Sequence, residues 1–307
     1  MSWQSLTELL SFTGVKDATI WQDVIFGALL IPFSIEFVRR TLNYFENQQP
    51  LKILLSGYLS KKNKIIIYLS QLRALKNDNQ LDNNPQYAIE VPNPSPVHKN
   101  ASIFEGRCRI DPVWSEGDGE CLADMYNILG KAGRLGDVEV GNLVKDWEKW
   151  NSPIISIGFN PKTNSIIKKC QPVFYSLKAK TFSVGGIEIE GATLEIKGHD
   201  TVLDCLTPND GSIIQKTYIK DSNIPVMILA GIGTTGTSAA GYFLRENSIN
   251  IGKLYSNKPF CFLLYVNINE GRSSVIAKGV YPKPSLDRII LHPLAYLKFR
   301  SKSIFPK

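Results

Sequence analysis

Asn223-Ile224-Pro225-Val226-Met227-Ile228-Leu229-Ala230-Gly231-Ile232-Gly233-Thr234-Thr235-Gly236-Thr237-Ser238-Ala239-Ala240-Gly241 decides the fold. An apolar, β-branched run meets a glycine-rich bend, and small residues then open a helix. Strand, tight loop and helix N-terminus follow in that order. Backbone N–H groups converge at such a bend, and the helix dipole favours an anion there. Gly231-x-Gly233-x-x-Gly236 carries the spacing of a dinucleotide fingerprint, whose glycines allow the turn, the approach of pyrophosphate and close helix–strand packing. Thr234, Thr235 and Thr237 supply hydroxyl donors for phosphate or ribose. The full fingerprint also needs an acidic residue about 20 positions on, and Leu254 to Lys258 contains none. A tight turn with a small-residue helix packed on the sheet accounts for the glycines equally well.

Asn151-Ser152-Pro153-Ile154-Ile155-Ser156-Ile157-Gly158-Phe159-Asn160-Pro161-Lys162-Thr163-Asn164 repeats the theme upstream. Asn-x-Pro introduces a strand, a glycine ends it, and residues from Ser165 to Cys170 turn helical. Gly158, Asn160, Lys162 and Asn164 are therefore candidate ligand residues: the asparagines for a base or sugar, the lysine for a phosphate. Phe159 is placed to stack. If the two strands are parallel neighbours, both bends leave one sheet edge, where open α/β sheets bind ligands. An Asn-Pro pair that merely starts a helix is the plainer reading.

Around these motifs the chain alternates strand-like and helical stretches. Leu51 to Gly57 and Lys64 to Ser70 read as strands after a short linker, Asn47 to Pro50. Val173–Ser176, Thr181–Val184, Ile187–Ile189 and Thr193–Ile196 are short strand-like pieces about Gly185-Gly186, and Phe260–Val266 and Ser274–Val280 are also strand-like. The pattern predicts an α/β fold: a mostly parallel, Rossmann-like sheet flanked by helices, with an antiparallel β insert and a preceding N-terminal hydrophobic helix. The expected domains are an anchor region over 1–46 and a ligand-binding domain over 50–307.

Glu116, Asp118, Glu120 and Asp124 crowd the start of a helix marked by Leu122, Met125, Tyr126 and Leu129. Asp118 is the expected N-cap. Acids in a first turn complement the helix dipole; as chemistry, Asp118 and Glu120 are the candidates for a general acid or base. His98, His199 and His292 are isolated. No nucleophile elbow, phosphate loop or Cys/His metal spacing occurs, so no metal and no certain cofactor are expected beyond a nucleotide ligand. Cys108, Cys121, Cys170, Cys205 and Cys261 form no CxxC pair, which argues for reduced thiols.

The net charge is +7 and dispersed, with no arginine-rich block, so nucleic acid is not an expected partner. Ile20 to Val38 is apolar and closed by Arg39-Arg40. Trp21 and Tyr44 bracket it at roughly 35 Å along a helix, close to the span between two membrane interfaces. Asp23 and Glu36 shorten its uncharged centre, and a helix packed on the domain is the competing reading. Basic residues follow the segment (Arg39, Arg40, Lys52, Lys61, Lys62, Lys64), which puts the large domain on the cytoplasmic side of a single-pass anchor over 20–44.

In its order, a short apolar anchor followed by a domain with the Gly158–Asn164 and Gly231–Gly241 loops, the chain resembles bacterial membrane-anchored proteins with a cytosolic Rossmann-like nucleotide-sensor domain. Some of these serve anti-phage defence. The resemblance implies a non-enzymatic sensor of a nucleotide or nucleotide-derived ligand, signalling through self-association as a homo-oligomer. Two alternatives stay open: an enzyme on nucleosides or nucleotides, cleaving or transferring a glycosidic bond with Asp118 or Glu120, and a structural envelope protein whose glycines only pack.

Overall fold

The computed structural model describes residues 33–59, 64–69, 115–141, 152–159, 161–184, 187–196, 202–205 and 208–302. The chain divides into two units, Met1–Gln49 and Pro50–Lys307. In the first, residues 33–43 are α-helical and Tyr44–Gln48 form a π-helix. The Gln49 N–H bonds the Tyr44 carbonyl five residues back, which is the widened turn of a π-helix. Asn47 to Pro50 therefore stay helical where a linker was expected. Phe33, Ile35, Phe37, Val38, Leu42 and Phe45 are exposed, and Arg40 donates to Glu36 at 2.7 Å. Most of the expected membrane span lies outside the described residues. No described helix is long and apolar enough to cross a membrane.

α1 (Gln49–Leu54) and a 3-10 turn at Ser56–Tyr58 stand where a strand was expected. Leu51, Leu54, Leu55 and Tyr58 explain the difference. They recur at helical spacing and all are buried, so the short apolar run satisfies a helix as well as a strand.

The central sheet has eight strands: β1 (Ile65–Leu69), β2 (Val138–Gly141), β3 (Ile154–Ile157), β4 (Cys170–Gln171), β8 (Asn209–Ile219), β9 (Pro225–Gly231), β10 (Phe260–Asn267) and β11 (Ile276–Tyr281). Its order is β11-β10-β8-β9-β3-β1-β2, with β4 beside β8. β2, β1, β3 and β9 are successive parallel neighbours. β4 and β10 run in the same sense, while β8 and β11 run against it. The result is the expected α/β layout on a mixed, mostly parallel sheet. A second, antiparallel sheet of β5 (Tyr175–Val184), β6 (Ile187–Ile196) and β7 (Val202–Cys205) is the predicted insert.

Every residue of β1, β3 and β9 is buried, as expected for parallel strands covered on both faces. Period-two alternation sorts their side chains between two cores. Ile155, Ile157, Met227 and Leu229 join the core formed with α2 (Glu116–Lys131) and α4 (Thr234–Tyr255). Ile154, Val226, Ile228 and Ala230 join the opposite one with Ile166 of α3 (Pro161–Lys168) and with Leu194 and Ile196 of β6. Cys121, Cys170 and Cys261 are free and buried.

α2 and α4 lie unusually close. A Cβ on Gly241 would stand 2.8 Å from Cys121 Cα, and one on Gly117 would stand 1.9 Å from the Thr234 carbonyl oxygen. The first turns of the two helices therefore abut. Lys216 of β8 is fully buried and donates to the Leu54 carbonyl at 2.6 Å, which satisfies the C-terminal end of α1. Burial pushes its ammonium down to about 8.

Candidate functional site

β3 and β9 pair in parallel with Ile157 opposite Leu229, so the bends that follow them leave the same edge. The Gly158 N–H donates to the Leu229 carbonyl at 2.9 Å. From β1 the chain goes on to β2 on one side, whereas from β3 it passes towards β8 and β9 on the other. The carboxyl edge between β1 and β3 is thus a point where the strand order reverses, the usual location of a crevice in an open α/β sheet.

At the second bend the anion favoured by the helix N-terminus comes from the protein. Asp210, near the start of β8, accepts from the Gly233 N–H at 3.0 Å and from the Gly236 N–H at 2.6 Å. Its residue is only 4% exposed. Burial raises its carboxyl above the usual range, and the N–H groups of Gly233, Gly236 and Gly211 oppose that rise. The glycine spacing follows from this packing. A Cβ on Gly233 would stand 2.6 Å from the Asp210 carboxylate, one on Gly236 2.9 Å from it, and one on Gly231 2.1 Å from the Thr237 nitrogen. Thr237 Oγ1 accepts from the Gly231 N–H at 3.0 Å and donates to the Gly233 carbonyl at 3.4 Å. Gly231, Gly233, Gly236 and Thr237 are all engaged within the protein, while Thr234 is exposed and Thr235 half-buried.

The first bend is built differently. Gly158 has φ +83°, a left-handed conformation that suits glycine. The Thr163 hydroxyl donates to its carbonyl at 2.9 Å and meets the Ser156 hydroxyl at 2.8 Å. Phe159 packs on Tyr175, with ring centroids 5.9 Å apart. Lys162 and Asn164 fall in α3, Asn164 exposed, and Asn160 lies outside the described residues. Above Gly158 sits Asp118, whose Oδ1 is 3.1 Å from where a Gly158 Cβ would be.

Asp118 is not the helix cap. Ser115 holds that position and its hydroxyl accepts from the Asp118 N–H at 3.1 Å, which leaves the Asp118 carboxyl in the first turn of α2. The residue is 6% exposed, and burial pushes its carboxyl up to about 6 against the opposing pull of Ser115. Because Gly117 abuts Thr234, Asp118, Gly158 and the start of α4 share one corner of the carboxyl edge. Ionised, Asp118 accepts hydrogen bonds from hydroxyl groups; near pH 6 it exchanges a proton readily.

The neighbouring acids bind helix to helix. Glu120 accepts from the Ser238 hydroxyl of α4 and lies 3.7 Å from Arg272. Asp124 accepts from Arg245 at 2.6 Å and Arg272 at 3.1 Å, and both guanidinium groups also stand over the Tyr242 ring. Among the described residues, no cluster of His, Cys, Asp and Glu is arranged to hold a metal ion.

Sequence reasoning missed Asp210 and Lys216. An aspartate before a glycine (Asp210-Gly211) reads as a turn, and a lone lysine in a strand reads as a solvated side chain. Neither carries a local signal of its partner. Comparison with known protein families, with curated proteins and with solved structures gives no match to this chain.

Proposed function

We propose that the chain is a membrane-anchored sensor whose main domain, on the cytoplasmic side, binds a nucleotide or nucleotide-derived ligand. The binding place is the corner of the carboxyl edge bounded by Gly158, Asp118 and the first turn of α4. The observation that carries this reading is the pairing of β3 with β9, because it brings two glycine bends to one edge beside a buried carboxyl group. Asp118 supplies the acceptor for ribose hydroxyls that the stretch after the glycine bend lacks. Gly233 and Gly236 already hold Asp210, so the phosphate meets the exposed Thr234 and Thr235 rather than those glycines. The anchor reading, over residues 20–44, is supported by the apolar sequence and by the six exposed apolar side chains of residues 33–45. Occupancy reaches the anchor through self-association, and a role in anti-phage defence follows from the resemblance alone.

The test is calorimetric titration of the full chain with a panel of nucleosides and nucleotides. Binding without turnover is expected. Gly158→Val should abolish it, since the new side chain points at Asp118 and its backbone is strained. Absence of binding by every panel member refutes the proposal.

One observation favours the enzyme reading as well. A buried carboxyl at about 6 is suited to general acid–base work on a glycosidic bond. Chromatography decides between the two: product that disappears in Asp118→Asn, with ligand binding retained, makes the protein an enzyme. Glu120→Gln is the comparison, and its engagement with Ser238 makes it the weaker candidate.

A further inference from the structure

The described chain ends in two helices, α5 (Leu286–Leu291) and α6 (Pro293–Lys302). Ala295 is their buried contact with the core, and Tyr296 packs partly against it. The opposite side is open. Leu286, Ile290, Leu291, Leu294 and Leu297 are 69%, 69%, 65%, 79% and 55% exposed. α6 is therefore apolar on two sides, and among the described residues only one of them is covered. Five aliphatic side chains at these exposures present on the order of 500 Å² of apolar surface, near the upper end of what a monomer leaves uncovered.

The charge around this face is one-sided. Arg288, Lys298, Arg300 and Lys302 fall within the two-helix sequence, Lys283 just precedes it, and Asp287 is the only acid between 283 and 302. His292, at the junction, is held below its usual range by burial and by the charges of Lys253 and Arg288, so these two cations stand near the junction. Aliphatic side chains among lysine and arginine, almost without acids, match the boundary between acyl chains and anionic headgroups. A second copy of the chain is the poorer occupant, because a two-fold contact would press these cations against their own images.

We infer that the exposed face of α5 and α6 docks on an anionic lipid bilayer. This contact is separate from residues 20–44 and from the ligand crevice, and it fixes the domain against the membrane by its C-terminal end.

The experiment is co-sedimentation of the full chain with vesicles of phosphatidylcholine, with and without phosphatidylglycerol. Two double substitutions, Ile290→Ser with Leu294→Ser and Arg288→Glu with Lys298→Glu, are compared with the wild type. All three proteins keep residues 20–44, so that segment cancels. The wild type should prefer the anionic vesicles at least tenfold and release them as salt rises, and each double substitution should cut that partition at least tenfold. Melting temperatures report folding, and the charge reversal decides the matter if the serine pair does not fold. Equal partition of wild type and charge reversal overturns the inference. So does indifference of the wild type to phosphatidylglycerol, or a change confined to oligomeric state by light scattering.

Discussion

Asp118→Asn tests the candidate corner through stability alone. In the fold the carboxyl titrates at about 6 because burial disfavours its charge. In an unfolded chain an aspartate titrates at about 3.9, so the gap is roughly two pH units, or about 3 kcal/mol. Below about pH 4 the group is protonated in both states and the contribution is fully present. As pH rises from about 4 through about 6 the folded chain keeps a proton that the unfolded chain releases, and stability falls. Above that range the fold holds a buried anion. Asparagine preserves the shape and never ionises, while Ser115, Cys121 and Asp124 are common to both proteins. Thermal melts from pH 4 to 7.5 should therefore start together and diverge, with the variant ahead by about 6–10 °C at the upper end for a domain of this size. A constant offset across the range, or a wild type that is the more stable at pH 7.5, would refute the argument from burial.

Three other perturbations probe the surrounding frame. Asp210→Ala removes two bonds from the glycine bend and should cost roughly 2–4 kcal/mol by urea denaturation; inorganic phosphate should then raise the melting temperature of the variant more than that of the wild type. Gly117→Ala drives a methyl group into the Thr234 carbonyl, where both sides are backbone, and should cost about 3 kcal/mol or more, seen as loss of soluble protein or an early melt. Lys216 titrates at about 8 in the fold and near 10.4 when unfolded. Wild type should therefore gain about 2 kcal/mol over Lys216→Met as pH rises from 8 to 10, read from paired urea midpoints.

Strands β1, β3, β9, β10 and β11 and both glycine bends were legible because their signals are local, whereas β2, β4 and the long β8 were not read as strands. Ile154–Ile157 and Pro225–Gly231 are short, largely apolar runs rich in β-branched residues and closed by a glycine bend, which suits a strand buried on both faces. The insert was legible in kind but not in extent: four short pieces merge into the ten-residue strands β5 and β6, because polar residues such as Lys178 and Glu195 pair across the hairpin rather than ending it. At residues 51–58 one apolar pattern served two periods, and only the buried partners of α1 choose between them. The identity of the anion at the bend was illegible for a deeper reason. Asp210 reaches Gly233 and Gly236 through the antiparallel pairing of β8 with β9, a contact written in topology and absent from any short window.

That contact changes what the glycine bend depends on. Its backbone donors are already paired to Asp210, so the loop is held from within the protein and takes its geometry from β8 rather than from a guest. A substitution that shifts β8 against β9 should therefore be felt at the first turn of α4.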